Sequence, residues 1–257
     1  MYKIGIDLGS SYTKGVLVDN DNKIVDYLLT RTGFDFNKAA NKIIDKFSAK
    51  HEIEYPVYTC GYGRDELKIP FVSNSEIIAL SRAVFEKYQK KCSVIDIGGQ
   101  DTKYIKISES GQVDKFKMNR KCAAGTGSFI EELAFKLDIS TSEFTDYASL
   151  ATEEVKINSY CTVFAVSEII GMIKKGALMP NIILGIYNSV IARSLELSPI
   201  EDFLVLTGGI PDHHPIMLKL FQEKFVNCMS PEKSQFYAAW GNVLLNNLNK
   251  ENNENLV

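Results

Sequence analysis

Two aspartates carry the first hint of chemistry. Asp7 lies in IDLGSSYTK (residues 6–14) and Asp96 in IDIGGQDTK (residues 95–103). In each stretch an apolar run ends at Asp, a Gly follows two residues on, small polar residues come next, and a Lys closes the nonamer. Asp at the end of a buried strand followed by a Gly turn suits nucleotide phosphates. Glycine lets the backbone approach closely, and exposed N–H and hydroxyl groups can bind phosphate oxygens. On this reading Gly9, Ser10, Ser11 and Thr13 form one phosphate turn, and Gly98, Gly99 and Asp101 the other. Asp7 and Asp96 hold Mg²⁺ through water, because Mg²⁺ keeps several of its waters. Lys14 neutralises charge developing on the transferred phosphoryl group, and Gln100 with Asp101 orients an attacking water. Gly208 and Gly209 follow the apolar run FLVLT (203–207) and offer flat backbone to a nucleoside.

One Asp-x-Gly is an ordinary hairpin turn. Two that match over a longer stretch are not. Asp7 and Asp96, Gly9 and Gly98, Thr13 and Thr102, and Lys14 and Lys103 share one offset, 89 residues. At the same offset VDNDNKIVDYLL (18–29) aligns with ISESGQVDKFKM (107–118). Each copy reads as a three-stranded antiparallel meander. An internal duplication follows, and with it an α/β protein of two similar lobes. The first lobe is expected over residues 1–90, completed by a C-terminal helix at 234–250, and the second over 91–233. Helical periodicity is expected at 36–49, 76–90, 128–137, 163–174, 181–195, 215–225 and 235–248.

Two cysteines share a setting. Cys122 in NRKCAAGTGSF (119–129) and Cys161 in INSYCTVFA (157–165) each precede a helical pattern. A helix N-terminus offers free N–H groups and partial positive charge, which stabilise an anion such as a thiolate. Two such thiols are too few for a four-cysteine site in one chain, but a symmetric dimer doubles them. Four thiolates at a two-fold axis suit a [4Fe–4S] cluster or a structural zinc. The alternative is that both are small buried hydrophobes. Cys60, Cys92 and Cys228 lack this context and are read as structural, and His213-His214 as a solvated loop. Five cysteines at irregular spacing argue against a disulfide framework and for a reducing cytoplasm.

Composition narrows the class. The 257 residues are 45% hydrophobic and carry a net charge of −3, so neither nucleic acid nor an anionic membrane is an expected partner. No run of ~18 apolar residues predicts a membrane span, and the start, MYKIGIDLG, is not read as a signal peptide.

IDLGSSYTK, IDIGGQDTK and LTGGI together resemble the two phosphate segments and the adenosine segment of the acetate and sugar kinase, Hsp70 and actin superfamily. Adding CGYGR (60–64), NRKCAAGTGSF and INSYCTVFA, the chain closely resembles the activators, or archerases, of 2-hydroxyacyl-CoA dehydratases and the ATPase subunits of benzoyl-CoA reductases. The resemblance runs from Ile4 to about Asn242. It implies two ribonuclease-H-like lobes closing over Mg·ATP, with hydrolysis to ADP. It implies a cytoplasmic homodimer from an anaerobe, with one [4Fe–4S] cluster per dimer held by two cysteines from each subunit, by position Cys122 and Cys161. A ferredoxin or flavodoxin would reduce the cluster, and ATP binding would deliver one electron to an iron–sulfur dehydratase, reductase or double-cubane client. Gly125, Thr126 and Gly127 would let the helix start beside the cluster, with N–H groups aimed at sulfur and the other side touching nucleotide phosphate.

The chain departs from the family pattern in three places. Val166 stands where the family has a glutamate, Ala79-Leu80 where it often has Cys-His, and Ala239-Trp240-Gly241 where it has Gly-Ala-x-Gly, which places Trp240 near the base region. A small-molecule kinase of the same fold with ordinary cysteines is the alternative function, and a nucleotide-dependent binding module without turnover is the third.

Overall fold

The fold is taken from a computed structural model. It describes residues 2–51, 55–119, 123–159, 161–201 and 203–254, with side chains through residue 246. Cys122 lies outside the described residues.

In chain order the elements begin with β1 (Lys3–Leu8), β2 (Tyr12–Val18), β3 (Ile24–Arg31) and α1 (Phe36–His51). There follow β4 (Val57–Cys60), β5 (Val72–Ser73) and α2 (Glu76–Tyr88). The second half opens with β6 (Cys92–Ile97), β7 (Thr102–Ile107) and β8 (Val113–Asn119). Four helices come next: α3 (Gly127–Leu137), α4 (Thr141–Ser149), α5 (Thr162–Lys174) and α6 (Met179–Leu195). The chain continues through β9 (Leu204–Thr207), α7 (Gly209–His213), α8 (Ile216–Gln222), β10 (Cys228–Met229) and α9 (Tyr237–Glu254).

By contacts these fall into two units. One comprises residues 1–91, 107–114 and 235–257, the other 92–106 and 115–234. Each half builds a five-stranded sheet of one pattern. The first runs β3-β2-β1-β4-β5 and the second β8-β7-β6-β9-β10. In the first, β1 pairs antiparallel with β2, and β4 and β5 extend it in parallel. In the second, β6 pairs in parallel with β9, and β9 with β10. The duplicated sequence is thus a duplicated fold.

β1 and β6 lie mid-sheet, flanked on both edges and covered on both faces. Central strands so placed read as near-continuous apolar runs, and KIGIDL and CSVIDI are buried from their second and first residues onward. In the first unit Ile4, Ile6, Leu8 and Leu17 pack with Ile43 and Phe47 of α1. On the other face Val16, Val18 and Tyr58 pack with Phe236, Ala239 and Val243 of the C-terminal segment. Gly5 is required there, since a Cβ would collide with the Ala239 carbonyl. Trp240 packs within the first unit. Its indole N–H donates to the Asn22 carbonyl at 2.9 Å and its ring meets Tyr237 edge-on, so it pins the β2–β3 turn.

Local chemistry sets the ends of α4, which the periodicity did not reveal. Ser140 and Glu143 form a reciprocal capping box at its start. A five-residue helix, α7, stands where a loop was expected at 211–214. His214, at its end, is not solvated but buried, with Nδ1 2.7 Å from Tyr187 Oη. Burial, and secondarily the neighbouring His213, pulls the His214 pKa down to about 4. Burial pushes the Tyr187 hydroxyl up to about 12.

Candidate nucleotide site and thiol helix

Asp7 sits at the end of β1, directly opposite Lys14 of β2 in antiparallel register. Opposed residues of an antiparallel pair project to the same face, and Lys14 Nζ lies 2.9 Å from Asp7 Oδ2. Asp7 is 2% exposed, and its Oδ1 is buried with no hydrogen-bond partner among the described residues. A buried carboxylate oxygen without a partner is costly. Such an atom fits a cation or the water of a hydrated cation, so Asp7 suits Mg²⁺.

Thr13 is expected to bind phosphate, but it is buried and faces the protein. Thr32 donates to the Gly9 carbonyl at 2.7 Å, and the Thr13 hydroxyl lies 2.9 Å from that of Thr32. The two hydroxyls brace the turn. Ser10 is exposed and Ser11 half-buried beside it, so these remain the hydroxyls of this turn open to a ligand.

The second copy repeats the ion pair and adds to it. Lys103, buried, bridges Asp96 Oδ2 at 3.1 Å and Asp101 Oδ1 at 2.8 Å. Asp101 is therefore held by Lys103, while its neighbour Gln100 is exposed. Gly98 donates its N–H to the Asp101 carbonyl at 2.9 Å, closing the turn. Thr102, the counterpart of Thr13, also braces backbone, donating to the Gly125 carbonyl at 2.6 Å.

The likeness extends to the parallel strands. Asp7 is in register with Cys60 of β4, and Asp96 with Thr207 of β9. The next residues, Gly61 (φ 93°) and Gly208 (φ 100°), both take a left-handed conformation that favours glycine. CGYGR and LTGGI are thus counterparts, which their residue types conceal. The difference is chemical. Thr207 Oγ1 donates to Asp96 Oδ1 at 2.8 Å, so both Asp96 oxygens are engaged. Gly209 opens α7 instead of lying flat.

The expectation for Gly125, Thr126 and Gly127 needs correction. Gly125, at φ 83°, makes the turn before α3. The N–H groups that follow are taken up by backbone carbonyls. Thr126 donates to the Ala123 carbonyl, Gly127 to that of Gly98 at 2.9 Å, and Ser128 to that of Gly99 at 2.7 Å. Ser128 Oγ adds a second bond to Gly99, also at 2.7 Å. The helix start is therefore tied to the second phosphate turn directly, backbone to backbone.

Cys161 caps α5 and is exposed, while Cys60, Cys92 and Cys228 are buried. Burial pushes the Cys228 thiol up to about 12, as suits a structural residue. Only Ala165 and Ile169 of α5 are buried. Val163, Phe164, Ile170 and Ile173 are exposed. Between α3 and α5 runs a groove of about 640 Å³, lined on the α5 side by Thr162, Val163, Val166 and Ser167 and on the α3 side by Ala123, Ser128, Glu132 and Lys136. Val166 lies on its wall beside Val163. Among the described residues no group of three or more metal-capable side chains is gathered, and no helix is long and apolar enough to cross a membrane.

Two matching Asp-Gly-Lys turns on duplicated sheets define a two-lobed ATPase of the sugar-kinase and actin fold class. A glucokinase from Streptomyces griseus shares that fold, with a TM-score of 0.58 at 12% identity, covering 95% of this chain and 99% of that one. The chain belongs to the BadF/BadG/BcrA/BcrD ATPase family, whose pattern it matches over residues 4–246. It is 36% identical over 217 residues to the activator of lactoyl-CoA dehydratase from Anaerotignum propionicum, covering 82% of this chain and 83% of that one. It is 32% identical to the (R)-2-hydroxyglutaryl-CoA dehydratase activating ATPase of Acidaminococcus fermentans, covering 95% and 96%. The solved activator of 2-hydroxyisocaproyl-CoA dehydratase from Clostridium difficile, with bound ADPNP, superposes with a TM-score of 0.89 at 29% identity, covering 100% and 98%.

Proposed function

We propose that this ATPase is an ATP-driven electron-transfer activator. ATP and Mg²⁺ bind at the duplicated turns, with Asp7 and Asp96 holding the cation through water. Lys14 faces the phosphoryl group and Gln100 the attacking water. Two chains form a homodimer, and Cys122 and Cys161 of each hold one [4Fe–4S] cluster. When bound, that cluster supplies single-electron chemistry at low potential. A ferredoxin or flavodoxin is the donor, and the client is an iron–sulfur enzyme of the dehydratase, reductase or double-cubane kind. ATP binding favours one of two dimer states through its differential affinity for them, and hydrolysis resets the pair.

The observation that carries the reading is the exposed Cys161 at the start of an apolar, largely uncovered helix, in a chain whose relatives are named as dehydratase activators. The bonds from Gly127 and Ser128 to Gly98 and Gly99 support a mechanical link from nucleotide to thiol. An exposed thiol beside apolar side chains suits a ligand and a second copy better than an isolated domain.

The test is oxygen-free purification with iron, sulfide and mass measured together. The reading expects about two irons per chain in a dimer, lost in Cys122→Ser. An iron-free monomer that still hydrolyses ATP overturns it and points to a small-molecule kinase.

A further inference from the structure

Residues 151–159, which precede Cys161, form no helix or strand, yet they are fastened at every few residues. Asn181 Oδ1 of α6 accepts from the Thr152 and Glu153 N–H groups at 3.0 and 3.4 Å. Val155 crosses Gly185, where a Cβ would collide with its carbonyl. Ile157 is buried in the core. The last fastening is charged. Glu168 of α5 accepts from Asn158 N–H and Asn158 Nδ2, both at 3.0 Å on Oε1, and from Ser159 N–H at 2.8 Å on Oε2. Glu168 lies seven residues after Cys161, so the carboxylate reaches back two turns to hold the strap that enters its own helix.

Three donors on one carboxylate form charge-assisted hydrogen bonds, the strong kind. Partial burial alone would raise the Glu168 pKa, but the hydrogen bonds from Ser159 and Asn158 outweigh it and bring it down to about 2. The carboxylate is thus ionised at any working pH. An N-capping side chain would ordinarily fix a helix start, but Cys161 makes no side-chain cap bond, which leaves its sulfur unengaged at the cap. Asn158 and Ser159 are held instead from outside the cap, by Glu168.

We infer that Glu168 is a positioning residue that fixes the Cys161 thiol relative to α5. The assignment of a cluster to Cys161 rests on the function proposed above; the positioning itself does not. Glu168→Gln is the informative variant. Its oxygen can still accept from Asn158, but its NH₂ would face the Ser159 N–H, donor against donor. Glu168→Asp keeps the charge at shorter reach.

Two readouts separate the cases. In metal-free protein, the alkylation rate of Cys161 by iodoacetamide, followed by peptide mass, should rise about threefold or more in Glu168→Gln as the strap loosens, and less in Glu168→Asp. In the anaerobically purified dimer, chelator-driven iron loss should be about tenfold faster in Glu168→Gln, with a changed electron paramagnetic resonance line shape and unaltered ATP hydrolysis; tenfold corresponds to about 1.4 kcal/mol. Wild-type protein without iron, but with the alkylation difference intact, sinks the cluster and keeps the positioning. An alkylation rate unchanged in both variants overturns the positioning, whatever the iron content. A lowered melting temperature with equal alkylation would mark Glu168 as a structural brace only, and also overturns it.

Discussion

Thr207 donates its hydroxyl to Asp96 Oδ1 at 2.8 Å, and Cys60 occupies the same register position beside Asp7. The two aspartates are therefore not equivalent. Asp96 has both oxygens engaged by the protein, while Asp7 Oδ1 is buried without a hydrogen bond. If that oxygen serves the hydrated cation, Cys60→Thr should occupy it. The variant gains a buried hydrogen bond to a charged group, about 1.5–3 kcal/mol, and loses ATP hydrolysis by tenfold or more. Thermal melts and steady-state hydrolysis read the two effects. A stabilised protein with unchanged turnover would show that Oδ1 plays no part.

The backbone and Arg193 by themselves demand glycine at 125. Its φ of 83° is strained for any L side chain, and an added Cβ would sit 2.7 Å from Arg193 Cβ. Gly125→Ala should cost about 1–3 kcal/mol with or without nucleotide. Chemical denaturation in both conditions measures it. A loss seen only with nucleotide present would instead place Gly125 against phosphate.

Much of the fold was legible in the sequence, because duplication makes two weak signals strong. The Asp-x-Gly turns and the alternating runs after them stand at one offset, and the two sheets repeat one strand order. The helices at 36–51, 76–88 and 127–137 begin within a residue of expectation because apolar periodicity marks their buried faces. What escaped was settled by tertiary context. Thr13 looks like a phosphate hydroxyl in sequence, yet it meets the Thr32 hydroxyl, as its counterpart Thr102 meets the Gly125 carbonyl, each about 20 residues away and announced by no local pattern. Lys103 resembles Lys14, but only in space does Asp101 join its ion pair. The equivalence of Cys60-Gly61 and Thr207-Gly208 was hidden by unlike residue types; the shared left-handed glycine was the available signal. His213-His214 reads as polar loop, but one of the two faces inward to Tyr187.

That inward histidine sets an acid limit. His214 has a folded pKa of about 4 against 6.5 for an unperturbed histidine. The unfolded chain binds the extra proton between those values. Its contribution to stability is therefore complete above pH 6.5 and is lost as pH falls toward 4, by about 3 kcal/mol. His214→Gln should flatten that part of the pH–stability curve. A curve of unchanged slope would mean that His214 titrates normally.

The face of α5 gives the remaining prediction. Val163, Val166, Ile170 and Ile173 are spaced by three, four and three residues, the pattern of an apolar seam that packs against another helix. Three of the four are exposed, Val163 at 71%. Val166, where the family pattern has glutamate, completes the seam. A substitution at an exposed site with no second partner changes stability by only about 0.5 kcal/mol. Ile170→Asp, at a residue 45% exposed, should thus barely shift the melting of a monomer. If the seam holds a second copy, the same change should halve the mass in solution and release iron together with it, while ATP hydrolysis by the separated chains persists. Val166→Glu should do so more weakly, since Val166 is already partly packed against its own core. Light scattering and iron content on the same samples decide it: an intact dimer in Ile170→Asp would place the second copy on another face.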